Sequence, residues 1–338
     1  MDDTIIRIGH GSGGRLTRDL INEIFVKQFG NPLLNQLSDA AVLTTSEKNI
    51  AFTTDSYVID PIFFPGGDIG KLAVSGTVND LCVSGAIPKY MSVGIILEEG
   101  FKIDLLTQIA ESMAIEAKKA GVLIVTGDTK VVKRGQCDKI FINTSGIGIV
   151  PPDRMHLSKG SKIEPGDKII ITGTLGDHAI AILSARENLS LDEDILSDAA
   201  SLNSLTELML KEASDIHFMR DITRGGIASI LVETCEKKSF GIEVDEKMIP
   251  IHQGVKAVCE LYGFDPLYLA NEGKLMTIVS SHAAEKIVSL IRKEKHGKEA
   301  AIIGEITSSH TGLAVLRSII GGRRIIDMLG GEMLPRIC

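Results

Sequence analysis

An α+β protein of two domains is predicted by three features of this sequence. Its 338 residues exceed the length that one hydrophobic core comfortably organises. Strand-like apolar runs alternate with helix-period segments in two successive stretches of similar size. Between those stretches stands Pro151-Pro152, followed by a linker rich in Ser and Gly. No residue-level repeat relates the two halves, although the alternation suggests a duplication.

The first helical pattern places Leu16, Leu20, Ile24, Phe25 and Phe29 on one face, directly after the glycine-rich segment His10-Gly11-Ser12-Gly13-Gly14. A strand follows at Ile50–Thr54, ending in Asp55. The loop holding Pro61, Pro65, Gly66 and Gly67 then leads to a helix from about Gly70 to Ser84. Tyr90–Leu97 reads as a strand, Ile103–Ala120 as an amphipathic helix, and Val122–Thr126 as another strand. The run Lys130-Val131-Val132-Lys133-Arg134-Gly135 reads as a basic loop, and Phe141–Val150 closes the first half. In the second half, strands are expected at Lys168–Thr172, Leu275–Ser280 and Ala301–Glu305. Helices are expected after Gly173–His178, at Ile227–Glu236 and at Ala283–Lys293. The implied division is an N-terminal glycine-rich segment and helix (1–40), a first domain (41–152), a second domain (153–328) and a mobile tail (329–338) pivoting on Gly330-Gly331.

Composition narrows the functional classes. Apolar content of 44% with net charge −8 describes a globular protein with no basic field for nucleic acid. No apolar run reaches bilayer length, and Met1-Asp2-Asp3 is unlike a signal peptide, so no membrane association and a cytoplasmic location are expected. The five cysteines are scattered and form no Cys-x-x-Cys pair, which argues against zinc, iron–sulfur or disulfide frameworks. Four sit among apolar neighbours and read as small core residues. Cys338, the last residue, does not.

Acids gather at strand and helix junctions: Asp39, Asp55, Asp80, Asp128, Asp221 and Glu272. Oxygen ligands without His or Cys suit Mg²⁺, which keeps waters and bridges substrate phosphates. Glycines before a helix expose backbone N–H groups that hold phosphate oxygens, and no Walker-type Lys-Ser/Thr follows them here. Each acid alone also reads as a cap or a turn residue, the basic run as a solvated loop, and the tail as a frayed end. Taken together, the residues read as a Mg²⁺–nucleotide enzyme with a mobile terminal thiol.

Several motifs carry a specific resemblance. They are His10-Gly11-Ser12-Gly13-Gly14, Thr53-Thr54-Asp55-Ser56-Tyr57-Val58-Ile59-Asp60-Pro61, Phe64-Pro65-Gly66-Gly67 and Asn79-Asp80-Leu81. Val125–Val132, Arg220-Asp221-Ile222-Thr223-Arg224-Gly225-Gly226, Ala270-Asn271-Glu272-Gly273-Lys274 and the terminal Pro335-Arg336-Ile337-Cys338 complete the set. Over essentially its whole length the chain resembles the HypE family of hydrogenase maturation proteins. That family lies in the PurM-like superfamily of aminoimidazole ribonucleotide synthetase, selenophosphate synthetase and thiamine monophosphate kinase. The glycine and acid motifs point to the superfamily, and the Pro-Arg-Ile-Cys ending points to the family. Ser38 stands before Asp39 where many relatives carry a second acid, which weakens a doubly acidic metal site there.

The resemblance implies a two-domain PurM-like fold and an ATP-dependent dehydration. A carbamoyltransferase of the HypF type places a carboxamide on the Cys338 sulfur, and phosphorylation of the amide oxygen then allows loss of phosphate to leave a thiocyanate. The cyanide passes to a HypC-HypD iron-carrying complex. ATP and Mg²⁺ are the implied cofactors, and a homodimer through first-domain strands is the implied assembly. The metal-binding acids map to Asp39, Asp55, Asp80 and Asp221. Nucleotide contacts map to Gly11, Ser12, Gly13, Gly14, Lys71, Asn79, Thr126, Gly127, Asp128 and Lys130. Glu272 is the loop acid outside the metal set and the first choice of base, with Lys133 and His10 behind it. Cys338 is expected to be a carrier, because its own α-carboxylate disfavours the thiolate and Arg336 offsets that only in part. Another ATP-dependent ligase or kinase of the superfamily is the alternative reading, and a nucleotide-sensing scaffold the alternative from another class. Neither gives the terminal cysteine a use.

Overall fold

The first half wraps a sheet around one buried helix. A computed structural model of the chain describes residues 14–20, 22, 41–44, 49–189, 195–331, 334 and 337–338. In chain order it forms α1 (Arg15–Leu20), β1 (Ala41–Thr44), β2 (Asn49–Tyr57), the short pair β3 (Phe63–Phe64) and β4 (Gly67–Asp68), and α2 (Ile69–Val83). Then come β5 (Ile87–Glu98), α3 (Ile103–Ala120), β6 (Leu123–Val132) and β7 (Ile140–Val150). Five of these strands make a sheet in the order β1-β2-β7-β5-β6, antiparallel except where β5 meets β6. Along β7 every second residue is buried, as in a strand with one face on a core.

Helix α2 begins where Asp68 accepts hydrogen bonds from the N–H groups of Gly70 (2.7 Å) and Lys71 (3.1 Å), leaving fewer orphan donors at the helix start. It is buried on nearly every side, because it lies between the first sheet and the second half. Glycine at position 76 permits the close packing: a Cβ there would stand 2.2 Å from the Tyr57 hydroxyl oxygen. Helix α3 is amphipathic, burying Ile109, Met113, Ala117 and Ala120.

The second half contains β8 (Lys168–Ile171), α4 (Asp177–Glu187), α5 (Asn203–Met209), β9 (Ile216–Asp221), α6 (Gly226–Cys235), β10 (Gly241–Asp245) and α7 (Gln253–Tyr262). It ends with β11 (Leu275–Val279), α8 (Ala284–Ile291), β12 (Ala301–Thr307), β13 (Ala314–Arg317) and β14 (Arg323–Ile326). Seven strands form its sheet in the order β14-β13-β10-β12-β8-β11-β9. The pattern is the two-sheet α+β arrangement the sequence predicts.

Two details differ from the sequence reading. Lys130-Val131-Val132, expected in a basic loop, continues β6, because parallel pairing with Ile96-Leu97-Glu98 of β5 carries the strand that far. Asp55 lies inside β2 opposite Thr144 rather than at its end, since β7 is long enough to pair with β2 through Tyr57. Elements α5, α7, β10, β13 and β14 carried no sequence-based expectation, and the three strands are only four or five residues long.

The halves share one core. Ile59, Leu72 and Val78 pack in the same buried cluster as Ile180, Val255, Leu269 and Ile337. Asn79, on α2, adds a polar tie across the boundary. Its Nδ2 donates to the carbonyls of Ala200 (3.0 Å) and Glu272 (3.3 Å), and its Oδ1 accepts from the Leu202 N–H (2.8 Å). Asn79→Ala would leave those backbone groups buried without their partner, at a cost of about 3 kcal/mol. We expect a correspondingly lower midpoint in chemical denaturation. An unchanged midpoint would show that the tie contributes nothing to holding the halves together.

Candidate active site

The strand period and the helix period bring four carboxyl groups to one cleft. Thr53, Asp55 and Tyr57 alternate along β2 and so share its face toward α2. Gly76 and Asp80 lie one helical turn apart on α2. Asp221 ends β9, Thr223 and Arg224 follow it, and Glu272 precedes β11. Asp55, Tyr57, Asp80, Asp221, Arg224, Glu272 and Cys338 all line the same cleft, which has room for about 50 Å³ of solvent. That space suits a few waters or a carboxamide, whereas a nucleotide needs several hundred Å³ and must lie largely outside it.

Cys338 reaches the cleft because the chain end is docked. Ile337 forms an antiparallel bridge with Ile59, and the Val58 N–H donates to a main-chain oxygen of Cys338 at 3.2 Å. Arg224 is the cation beside this end: the negative charge of Cys338 is the chief influence raising the guanidinium pKa, with burial opposing it and Asp55 and Glu272 adding to it. Arg336, expected to offset the terminal charge, lies outside the described residues, as does Pro335. Arg224 was legible only as part of an acid–glycine motif, three residues beyond Asp221.

On the α2 side, Thr53 Oγ1 donates to Asp80 Oδ2 at 2.7 Å, and the Tyr57 hydroxyl donates to Asp55 Oδ2 at 3.3 Å. Burial, with Asp55 and Asp80 nearby, holds the Tyr57 pKa well above its usual range, so the phenol keeps its proton.

Glu272 is 3% exposed, and its Oε1 has no protein hydrogen-bond partner. Its backbone is fixed on both sides. The N–H donates to Asp198 Oδ1 at 3.0 Å, and the carbonyl accepts from Asn79. Residue 273 is glycine because a Cβ would stand 1.9 Å from the Asp198 carbonyl oxygen. Burial, then the charges of Asp198 and Asp221, raise the Glu272 pKa well above the usual carboxylate range, and Arg224 only partly offsets them. A carboxyl group so placed is a stronger base once ionised than an ordinary glutamate.

The remaining predicted residues are distributed elsewhere. His10, Gly11, Ser12, Gly13 and Asp39 lie outside the described residues. Gly14 abuts the root of the tail, where the Arg15 N–H donates to the Leu329 carbonyl at 2.7 Å. Lys71 donates to the Gly66 carbonyl at 2.8 Å on another side of α2. Thr126, Gly127, Asp128 and Lys130 occupy the exposed edge strand β6, with Lys130 paired to Asp128 at 3.0 Å. Lys133 follows that strand, its N–H donating to Gln136 Oε1. Asn79 is buried and holds backbone rather than facing the cleft. Among the described residues, no three His, Cys, Asp or Glu side chains close around a single point as a bare-metal cage. Asp55, Asp80 and Asp221 are separated carboxylates lining one cleft, a donor set of the chemical type that would suit a hydrated Mg²⁺.

The Glu272 environment dictates a pH dependence. Below the ordinary value near 4.5 the residue is protonated in folded and unfolded chains alike. As pH rises from there, the unfolded chain releases the proton while the folded chain keeps it, so stability falls until the raised folded value is passed. Glu272→Gln removes that titration. The variant should gain in melting temperature over the parent protein as pH rises above the ordinary carboxylate value near 4.5. Parallel melting curves across that range would contradict the burial of an ionisable group at this position.

Comparison with known proteins agrees with this geometry. Residues 37–150 match the family model described as AIR synthase related protein, N-terminal domain, and residues 164–315 match the corresponding C-terminal domain. Carbamoyl dehydratase HypE of Azotobacter vinelandii is 46% identical over 333 residues, covering 98% of this chain and 97% of that one. A crystal structure of a HypE-HypF complex superposes with TM-score 0.86 at 45% identity, covering 92% of this chain and 99% of that chain. Hydrogenase maturation protein HypE in complex with ATP superposes with TM-score 0.82 at 47% identity, covering 97% and 98%. With a docked terminal cysteine, two AIR synthase related domains and identity of this extent along nearly the whole chain, this protein belongs to the carbamoyl dehydratase HypE family.

Proposed function

We propose that the protein dehydrates a carboxamide carried on its own Cys338 to a thiocyanate, at the expense of ATP, and so supplies a cyanide ligand for hydrogenase maturation. The observation that carries this reading is the position of the Cys338 terminus in the cleft lined by Asp55, Asp80, Asp221 and the buried Glu272. A relative solved with ATP supports the nucleotide, and a relative solved with HypF supports a carbamoyl donor of that type. Transfer of the cyanide to a HypC-HypD iron carrier completes the proposed sequence. Among the described residues no helix is long and apolar enough to cross a membrane, and the proposed location is the cytoplasm.

The chemistry follows from the residues. An amide oxygen is a poor leaving group, and transfer of the γ-phosphoryl group onto it makes a good one. Arg224, beside the Cys338 terminus, is placed to hold the carboxamide. The amide nitrogen loses both its protons: one is released to solvent as the oxygen is phosphorylated, and Glu272 takes the other as the carbon–oxygen bond breaks, so the carboxamide oxygen leaves within phosphate and the carbon–nitrogen bond becomes triple. Asp55, Asp80 and Asp221 would hold Mg²⁺, which neutralises phosphate charge. Asn79 and Asp198 keep the Glu272 backbone in register, and Tyr57 holds Asp55.

A homodimer is proposed from the outer face of the first sheet. Phe52, Ile147, Tyr90 and Leu123 are aligned across β2, β7, β5 and β6 by strand register, and all four are exposed. Val125 and Val131 extend this apolar surface along the β6 edge. Such a surface, broad and unpaired, fits burial against a second copy.

Measurements of nitrile formation, ATP hydrolysis and sedimentation test these readings. With Cys338 already carbamoylated, Glu272→Gln should retain ATP binding yet form nitrile at least about a hundredfold more slowly, and Asp80→Asn should lose ATP hydrolysis with the fold intact. Nitrile formation at the parental rate in Glu272→Gln would remove Glu272 as the base. In sedimentation, the parent protein should run at twice its chain mass of 36.3 kDa and Ile147→Asp at the single-chain mass. A parent protein that sediments as a single chain would overturn the dimer.

A further inference from the structure

The docked tail is held by a histidine that belongs to none of the sequence motifs. His178, in the first turn of α4, is fully buried, and its Nε2 lies 2.5 Å from the carbonyl oxygen of Ile337. A carbonyl only accepts, so Nε2 carries the ring proton. Nδ1, 2.7 Å from Ser197 Oγ, then accepts from that hydroxyl, whose oxygen in turn accepts from the Ala199 N–H at 3.1 Å. Phe64 meets the imidazole edge-on, ring centres 5.6 Å apart, which fixes the plane of the ring. Burial lowers the His178 pKa, with Asp198 and the Ile337 carbonyl opposing and Arg186 assisting, so the ring is neutral and single-protonated near pH 7.

The same short segment also reaches the base. Ser197 orients the imidazole, and the next residue, Asp198, accepts from the Glu272 N–H and lies 3.1 Å from Lys274 Nζ. The Ser197 N–H is tied to the Pro65 carbonyl at 2.8 Å, so this segment is itself anchored. The bonds from His178 and from Val58 are made to main-chain oxygens, of Ile337 and of Cys338. They fix where the terminal residue lies without touching its sulfur.

We propose that His178 and Ser197 are positioning residues that latch the Ile337 carbonyl, so that the segment aligning Glu272 also seats the Cys338 terminus. The effect on turnover rests on the carrier reading of Cys338, whereas the docking itself does not. The test uses the full chain without nucleotide, iodoacetamide as the probe, and mass spectrometry of the C-terminal peptide to read Cys338 apart from the other cysteines. His178→Ala should speed Cys338 alkylation about fivefold, the factor expected from loss of one hydrogen bond. His178→Gln, which keeps an N–H donor at similar reach, should return most of the protection, and Ser197→Ala should fall between. In carbamoylated protein, nitrile formation should decline in the same order while the ATP affinity stays constant. Folded His178→Ala with parental alkylation, or His178→Gln as unprotected as His178→Ala, would overturn the latch. If His178→Ala does not fold, parental alkylation in Ser197→Ala overturns it instead. Absence of nitrile in the parent protein, with the alkylation order preserved, would defeat the functional reading alone.

Discussion

A buried carboxyl group surrounded by other acids is the constraint on which this structure depends. Glu272 is sealed from solvent next to Asp198 and Asp221, and desolvation and repulsion together oppose its ionisation. Such a group stays in place only if its backbone is held from several directions. Asn79 grips its carbonyl from α2, Asp198 grips its N–H, and Gly273 removes the Cβ that would strike the Asp198 carbonyl. Burial opposes the charge of Asp198, but Lys274 and the Glu272 N–H hold its pKa below the usual carboxylate value. Destabilised and firmly oriented, the ionised form of Glu272 is a stronger proton acceptor than an ordinary glutamate.

The two halves of the fold meet through this arrangement. Helix α2 contributes Asp80 to the cleft and Asn79 to the Glu272 loop from adjacent residues, and its glycines let it approach Tyr57 and α3 closely. The chain end then crosses back: Ile337 packs into the shared core, and its backbone bridges Ile59. Cys338 therefore reaches the acids through a short β-like contact.

Sequence made the acids legible because acids at junctions beside glycine are uncommon and local. Asp55, Asp80, Asp221, Glu272 and Cys338 could each be singled out, and the structure places all five on one cleft. The supporting residues were illegible for a physical reason. His178 and Ser197 lie in ordinary contexts, and their importance arises only when the tail lies against α4. Asn79 was read as a nucleotide contact because it adjoins Asp80, yet successive helix residues point about 100° apart, and its amide faces the other half of the molecule. Likewise Lys130 to Val132 read as a basic loop because charge interrupts the apolar run, while pairing with β5 was a long-range fact.

The central claim is that the carboxamide oxygen leaves with phosphate while Cys338 keeps the carbon and nitrogen. It is tested most directly by charging Cys338 with a carboxamide bearing a heavy oxygen isotope, adding Mg·ATP, and following both products by mass. The account predicts that the label appears in inorganic phosphate while the Cys338 peptide loses the mass of one water. Label retained on Cys338 during ATP hydrolysis, or released into solvent with unlabelled phosphate, would contradict it.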